Sequence, residues 1–319
     1  MEEKKSQVNQ NTVTSTPSTE MIKACQFFID QKANALFLDG NNFLDVVMHR
    51  EYPTVAPIPQ FLMDTCDIDT EKIQGHTVFT LTPKEKPSDL HIIYTHGGGW
   101  VLELIAPHWD MIHKLIQDNG AKVTVPIYPL APESTNKEAY KFLEEVYRKV
   151  INETPANKVI LCGDSAGGGL AIGQCFHYRD LGLPLPALVI GFSPCVDMTL
   201  SNPEIPELQK KDVILAVPGG KEAAKKWIGD SNPKSPTLSP LYGNLSGLPP
   251  MRIFIGTSDI LLPDNRLFKE KMQEVDGDVQ LYEYAGGFHV FVCIPTLPES
   301  EDAYGKVKQA IAELVKDKY

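Results

Sequence analysis

From Thr77 onward, short runs of β-branched and aromatic residues alternate with stretches whose apolar positions recur every three or four residues. That alternation predicts an α/β fold, a mostly parallel sheet covered by helices on both faces. The predicted strands are Thr77 to Leu81, His91 to Thr95, Lys122 to Tyr128, Lys158 to Cys162, Ala187 to Phe192, Arg252 to Ile255 and Val279 to Tyr284. Between them, Lys137 to Lys149 sets Tyr140, Leu143, Val146 and Tyr147 on one helical face, and Ala166 to His177 reads as a small-residue helix able to pack close to its strand. Glu301 to Lys316 closes the chain as an amphipathic helix with Val307, Ile311 and Leu314 on one side.

Three stretches fall outside this rhythm. Residues 1–20 are rich in Ser, Thr, Asn, Gln and charge, bury too little surface to offset the entropy of ordering, and are expected to form a flexible tail. Residues 21–75 carry helical periodicity, as in Ile22, Cys25, Phe27 and Phe28 and again in Phe43, Leu44, Val47 and Met48, which predicts a helical cap ahead of the main domain at 76–319. Residues 199–248 form a Pro-, Gly-, Ser- and Asn-rich insertion with a helix around Lys221 to Trp227, and an insertion of that length is expected to contribute to a substrate entrance.

Composition narrows the function classes. With 319 residues and 42% hydrophobic content the chain can bury one large core or two modest ones. The formal net charge is -11 and no basic block could track a phosphate backbone, so nucleic acid is excluded as a partner. The longest apolar runs, Ala187 to Phe192 and Val290 to Ile294, are too short to span a bilayer, and no apolar segment follows the N-terminal Lys pair. A cytoplasmic protein is the expectation. Cys25, Cys66, Cys162, Cys175, Cys195 and Cys293 show no C-x-x-C pair and read as buried thiols, and the eight histidines include no metal-binding spacing.

The chemistry lies in four segments. Gly163-Asp164-Ser165-Ala166-Gly167 follows the apolar run Val159 to Cys162 and opens a helix-compatible stretch, the strand-to-helix context of a nucleophile at a strained turn. His96-Gly97-Gly98-Gly99-Trp100 follows the strand at His91 to Thr95, and successive glycines can aim backbone N–H groups at a developing oxyanion. Gly97, Gly98 and Ala166 are the expected donors, with His96 shaping the loop. A serine nucleophile needs a base oriented by a carboxylate. His289, in a loop after the last predicted strand, is the candidate, because His177 falls inside the helix that Ser165 begins. Asp259, just past the strand at Arg252 to Ile255, is the preferred carboxylate, with Asp264 as a rival that also reads as a first-turn helix acid.

These segments resemble those of the hormone-sensitive-lipase family of α/β-hydrolases, marked by an H-G-G-G loop, G-D-S-A-G-G at the nucleophile, and D-x-L and H-x-F segments. The matches are His96 to Trp100, Gly163 to Gly168, Asp259-Ile260-Leu261 and His289-Val290-Phe291, together with Tyr128 to Glu133, which is similar to the family's Y-R-L-A-P-E. The resemblance covers the chain from about Leu90 to its end. It implies an α/β-hydrolase fold with a helical cap and a serine carboxylesterase cleaving short-chain esters through Ser165, Asp259 and His289, with no cofactor or metal. Two departures stand out: Pro129 replaces the usual arginine, and Glu103 stands where a small residue is common after the oxyanion loop. An acid there would narrow the alcohol side or disfavour anionic substrates.

The same motifs would suit an amidase or lactonase, and a non-catalytic binder on this fold would be expected to lack one of the three residues. Trp100 is the candidate substrate-binding aromatic, while Trp109 and Trp227 read equally as entrance or core. A homodimer is the default assembly.

Overall fold

The computed structural model describes residues 12–13, 15–49 and 54–316. Among them a nine-stranded sheet runs in the order β1-β9-β8-β7-β6-β4-β5-β3-β2. Its strands are β1 (Thr12–Val13), β2 (Cys66–Ile73), β3 (His76–Pro83), β4 (His91–Thr95), β5 (Lys122–Pro126), β6 (Val159–Asp164), β7 (Leu188–Phe192), β8 (Met251–Gly256) and β9 (Val279–Tyr284). β2 and β3 pair antiparallel, as do β3 and β5, and every other pairing is parallel. The helices are α1 (Thr19–Asp30), α2 (Ala35–Leu38), α3 (Gly40–Met48), α4 (Gln60–Thr65), α5 (Ala106–Asn119), α6 (Asn136–Glu153), α7 (Ser165–Asp180), α8 (Ile205–Gln209), α9 (Val217–Ile228), α10 (Leu262–Glu274) and α11 (Pro298–Lys316).

The period-2 geometry of the strands divides the interior into two cores. Ile93, Leu161, Val189 and Ile253 point to one face, where α6, α7 and α10 bring Leu143, Leu170 and Phe268. Ile92, Ile160, Ile190 and Phe254 point to the other, under Trp109 and Ile112 of α5 and Tyr304 and Val307 of α11. Strands covered on both faces read as near-continuous apolar runs, and β6, β7 and β8 are buried at every position, with Asp164 and Arg252 their two charged residues. Each such aliphatic side chain contributes about 1.5–3 kcal/mol. Helix α6 begins with a reciprocal cap: Thr135 N–H donates to Glu138 Oε2 at 2.9 Å, while Thr135 Oγ1 accepts from Lys137 N–H at 3.4 Å.

Two expectations need correction. Residues 1–11 and 14 of the expected flexible tail lie outside the described residues, but order begins before residue 20: Thr12–Val13 pairs with β9, and Ser18 both caps α1 and donates to Glu299 through its N–H and its hydroxyl, at 2.7 and 2.8 Å. Backbone pairing and a polar cap hold this segment, so its lack of apolar residues misled. Residues 21–75 are not all helical, because β2 lies within them. That edge strand, Cys-Asp-Ile-Asp-Thr-Glu-Lys-Ile, carries the charges that keep an exposed edge from pairing with another chain, and those charges mask its alternation.

Two of the three stretches outside the α/β rhythm meet, since α9 of the 199–248 stretch packs against α2 and α3 of the 21–75 stretch. All six cysteines are free thiols, four of them buried. Among the described residues no helix is long and apolar enough to cross a membrane.

Close packing of α7 on the sheet allows no side chain at Gly167, where a Cβ would overlap the Thr95 and His96 carbonyls. Gly305, in α11, is exposed with open space around its Cα. Gly167→Ala is therefore expected to cost about 3 kcal/mol, the upper part of the range for overpacking. Gly305→Ala should instead add about 0.8–1 kcal/mol through helix propensity. Urea unfolding of the two variants beside the wild type checks the opposite signs.

Candidate active site

The ends of β4, β6, β8 and β9 converge at the C-terminal edge of the sheet, where chain order reverses across the β4/β6 boundary and open α/β sheets form their clefts. Ser165 stands between the last residue of β6 and the body of α7 with φ +50°, a left-handed conformation that costs a serine about 1–3 kcal/mol. Asp259 follows β8 and His289 follows β9. Their two loops are joined by Thr257 N–H to the Tyr284 carbonyl (2.9 Å), Ser258 N–H to the Gly287 carbonyl (3.0 Å) and Gly286 N–H to Thr257 Oγ1 (2.8 Å).

The three side chains form one hydrogen-bonded chain. His289 Nε2 lies 2.8 Å from Ser165 Oγ, and His289 Nδ1 lies 2.9 Å from Asp259 Oδ2. Because the carboxylate can only accept, Nδ1 carries the proton and Nε2 is left as the acceptor for the serine hydroxyl. Asp259 Oδ1 accepts from Leu261 N–H at 2.9 Å. Burial alone would push the His289 imidazolium down, but the Asp259 charge and hydrogen bond, reinforced by Asp212 and Asp164, outweigh it and hold the group above its usual range. Asp264 does not compete: it sits in the first turn of α10, buried, accepting from Asn202 Nδ2 at 2.8 Å. His177 is paired with Glu144 at 3.0 Å on α7.

The glycine loop departs from expectation at one residue. Gly97 N–H donates to Asp164 Oδ1 at 3.0 Å, so it is already committed and cannot serve an oxyanion. A Cβ on Gly97 would strike the same carboxylate. Gly98, Gly99, Ser165 and Ala166 instead face the adjoining cavity. Asp164 is a buried hub: Tyr94 donates to it at 2.6 Å, and His108 Nε2 lies 3.3 Å away. His108 Nδ1 accepts from Ile105 N–H at 2.9 Å, which leaves Nε2 as the proton-bearing nitrogen facing Asp164. Burial would raise the Asp164 carboxyl, but His108 and the Tyr94 hydroxyl bring it below its ordinary value. His96 is a loop support: burial pushes it down to about 3, it stacks on Tyr128 at 4.5 Å, and Tyr128 donates to its carbonyl at 2.8 Å.

Against these groups lies a cavity of about 340 Å³. Phe28 of α1 and Phe37 of α2 form part of its wall, Ile214 and Leu215 of the insertion another, and Trp100 and Glu103 lie near the glycine loop. Trp100 stacks on the wholly buried Trp227 at 6.3 Å. Trp227 and Trp109 belong to the core rather than to the cavity, and the Trp109 indole donates to the Ala56 carbonyl at 2.9 Å. Among the described residues no cluster of three or more His, Cys, Asp or Glu side chains could hold a metal ion.

Sequence reasoning missed several supports. Ser193, at φ +48°, accepts Val290 N–H on its hydroxyl at 3.1 Å and so fixes the residue after His289, itself held at φ +53°. Asp212, in the insertion, lies buried against the Asp259 loop. Neither is part of a recognisable motif. Asp164 could have been found, since an acid fixed inside a Gly-x-Ser-x-Gly turn has no polar exit.

A family model described as alpha/beta hydrolase fold matches residues 92–293. An acetyl-hydrolase from Streptomyces hygroscopicus is 30% identical over 231 residues, covering 72% of this chain and 77% of that protein. An esterase from Acinetobacter venetianus is 29% identical over 226 residues, covering 70% of this chain and 75% of its own length. The crystal structure of a hormone-sensitive lipase from a metagenome library superposes with a TM-score of 0.74 at 25% identity, covering 88% of this chain and 99% of that one. With the strand order and the convergence of loops already described, these likenesses assign the fold: the chain belongs to the α/β hydrolase family, within its hormone-sensitive-lipase-like group.

Proposed function

We propose that this protein is a serine carboxylesterase that hydrolyses short-chain esters, with Ser165 as nucleophile, His289 as base and Asp259 as its orienting acid. The observation that carries the reading is the unbroken chain from Asp259 through His289 to Ser165 opening onto an apolar cavity. The relatives named acetyl-hydrolase and esterase support the same class.

In the proposed reaction Ser165 Oγ bonds the ester carbonyl carbon as its proton passes to His289 Nε2. The carbonyl oxygen takes the negative charge. N–H groups of Gly98, Gly99 and Ala166 are its proposed donors, the last at the N-terminus of α7, where the first amides lack helical partners. Collapse breaks the bond to the alcohol, which leaves with the proton from His289 and produces an acyl-serine. Water then attacks the acyl carbon while giving a proton to His289, and that proton returns to Ser165 Oγ as the carboxylic acid departs. Asp259 keeps the imidazole in one tautomer and stabilises the imidazolium that forms in each half-reaction. A cavity of about 340 Å³ is at the small end for ligand sites, which supports a short acyl or alcohol chain.

The test is hydrolysis of a p-nitrophenyl ester series from acetate to palmitate by folded wild type, Ser165→Ala and His289→Ala. Short esters should be turned over fastest, and each variant should lose about 10⁴-fold or more in kcat. Retained turnover by Ser165→Ala would sink the reading.

Glu103 supports a second prediction. Glu103 is among the residues that line the cavity, and an acid there is expected to disfavour an ester carrying its own carboxylate. Glu103→Gln should raise kcat/KM for a dicarboxylate monoester on the order of tenfold relative to a matched neutral ester. An unchanged ratio would remove Glu103 from specificity.

A further inference from the structure

The insertion contributes a buried acid that the proposed reaction does not use. Asp212, 2% exposed, spreads its carboxylate over three backbone N–H groups: Ile214 and Leu215 at 2.9 and 2.8 Å on Oδ1, and Ile260 at 2.9 Å on Oδ2. All three donors belong to residues that line the cavity, and the third, Ile260, is also the residue that follows Asp259. The Asp212 carbonyl in turn accepts from Asn34 Nδ2 of the N-terminal cap at 3.2 Å. One residue thus bridges the cap, the cavity wall and the turn that carries the proposed triad acid.

We infer that Asp212 is a positioning residue for the reaction: it fixes the Asp259 turn to the cavity wall and adds a second negative charge behind His289. This rests on the esterase reading above. A loop could have been anchored by neutral groups, such as a serine hydroxyl or a backbone carbonyl, and an aspartate is a costly choice in a dry site. Burial and then the neighbouring Asp259 carboxylate push its carboxyl up to about 6, with His289 and the two backbone donors opposing. The acid is retained although a like charge faces it. The gain is at His289: negative charge there favours the imidazolium that the reaction must form twice. The titratable groups facing His289 are Asp259, Asp212 and Asp164, and those facing Asp212 are Asp259 and His289. Lys211, the flanking charge on Asp212's own segment, is exposed.

The sign of the pH effect follows directly. Removing the Asp212 charge lowers the His289 pKa, so the acid limb of kcat/KM should move to lower pH in Asp212→Asn. The loss of one charge-assisted anchor on the Asp259 turn should at the same time lower kcat by about 10- to 100-fold, with KM little changed. The experiment compares wild type with Asp212→Asn on p-nitrophenyl acetate across pH, after matching their melting transitions. A fall in kcat accompanied by a downward shift of the limb supports the inference. A fall in kcat with an unmoved limb, or a loss confined to KM, assigns Asp212 a merely structural part and overturns it.

A second measurement reads His289 directly. NMR titration of the ¹⁵N-labelled His289 ring, which senses its ionisation whether or not ester is turned over, should give a higher imidazole pKa in the wild type than in Asp212→Asn, or than in Asp212→Ser should the first variant fail to fold. An unmoved pKa overturns the inference even if turnover is normal. If the wild type hydrolyses no ester, the esterase reading fails on its own while the titration still reports whether Asp212 acts on His289.

Discussion

The site depends on how closely the N-terminus of α7 approaches the ends of β4 and β6. The Gly167 carbonyl accepts the Thr95 hydroxyl at 2.7 Å, and a methyl group at Gly167 would overlap the backbone of the neighbouring strand end. The chain can leave β6 and enter α7 in so short a distance only by turning through a left-handed residue, and that residue is Ser165. Its strain of about 1–3 kcal/mol is offset by the strand pairings of β6 with β4 and β7 and by the apolar layers on both faces. The approach that lifts the hydroxyl out of the sheet edge also sets the first amides of α7 beside the glycine loop. The proposed nucleophile and the proposed anion donors are therefore two results of one steric constraint.

The electrostatics around that turn use dipoles where paired cations could have stood. Asp164 is held by the Tyr94 hydroxyl, Gly97 N–H and His108; Asp212 by three backbone N–H groups; Asp259 by Leu261 N–H and His289. A lysine or arginine against any of them would cancel the negative potential at His289 and carry its own desolvation penalty. Amide and hydroxyl donors satisfy the oxygens and leave the net charge in place. The imidazole thus faces negative charge on the side away from Ser165, and a proton arriving at Nε2 is stabilised from behind.

The seven predicted strands all appear with boundaries shifted by two residues or fewer: the parallel ones read as near-continuous apolar runs, and β3, antiparallel to both neighbours, as a run of β-branched and aromatic residues. β2 and β1 escaped for the converse reason. One is a charged edge and the other is a two-residue strand whose backbone pairs with β9. Ser165, His289 and Asp259 were legible because backbone geometry forces each to lie near a strand end. The donor set was legible only in part: the sequence places three candidate glycines in a row, and which of their amides is free depends on Asp164, whose direction is decided by Tyr94 and His108. Asp212 was illegible, since the Asp259 turn that it braces lies about fifty residues away in the chain.

Substrate size is the least legible property, and the cap explains why. The cavity wall is built where α9 meets α2 and α3, segments separated by almost two hundred residues. A Cβ on Gly219 would lie 2.7 Å from the Phe37 Cα, so the two pieces meet almost backbone to backbone. That contact fixes how far Phe37 reaches into the cavity and hence the depth left for an acyl or alcohol chain. Such a register is set by packing between surfaces that carry no motif, while the reacting groups sit on a sheet whose geometry tolerates little variation. Chemistry and substrate choice thus answer to different parts of the molecule, joined through Asp212 on the insertion and Asn34 on the N-terminal segment.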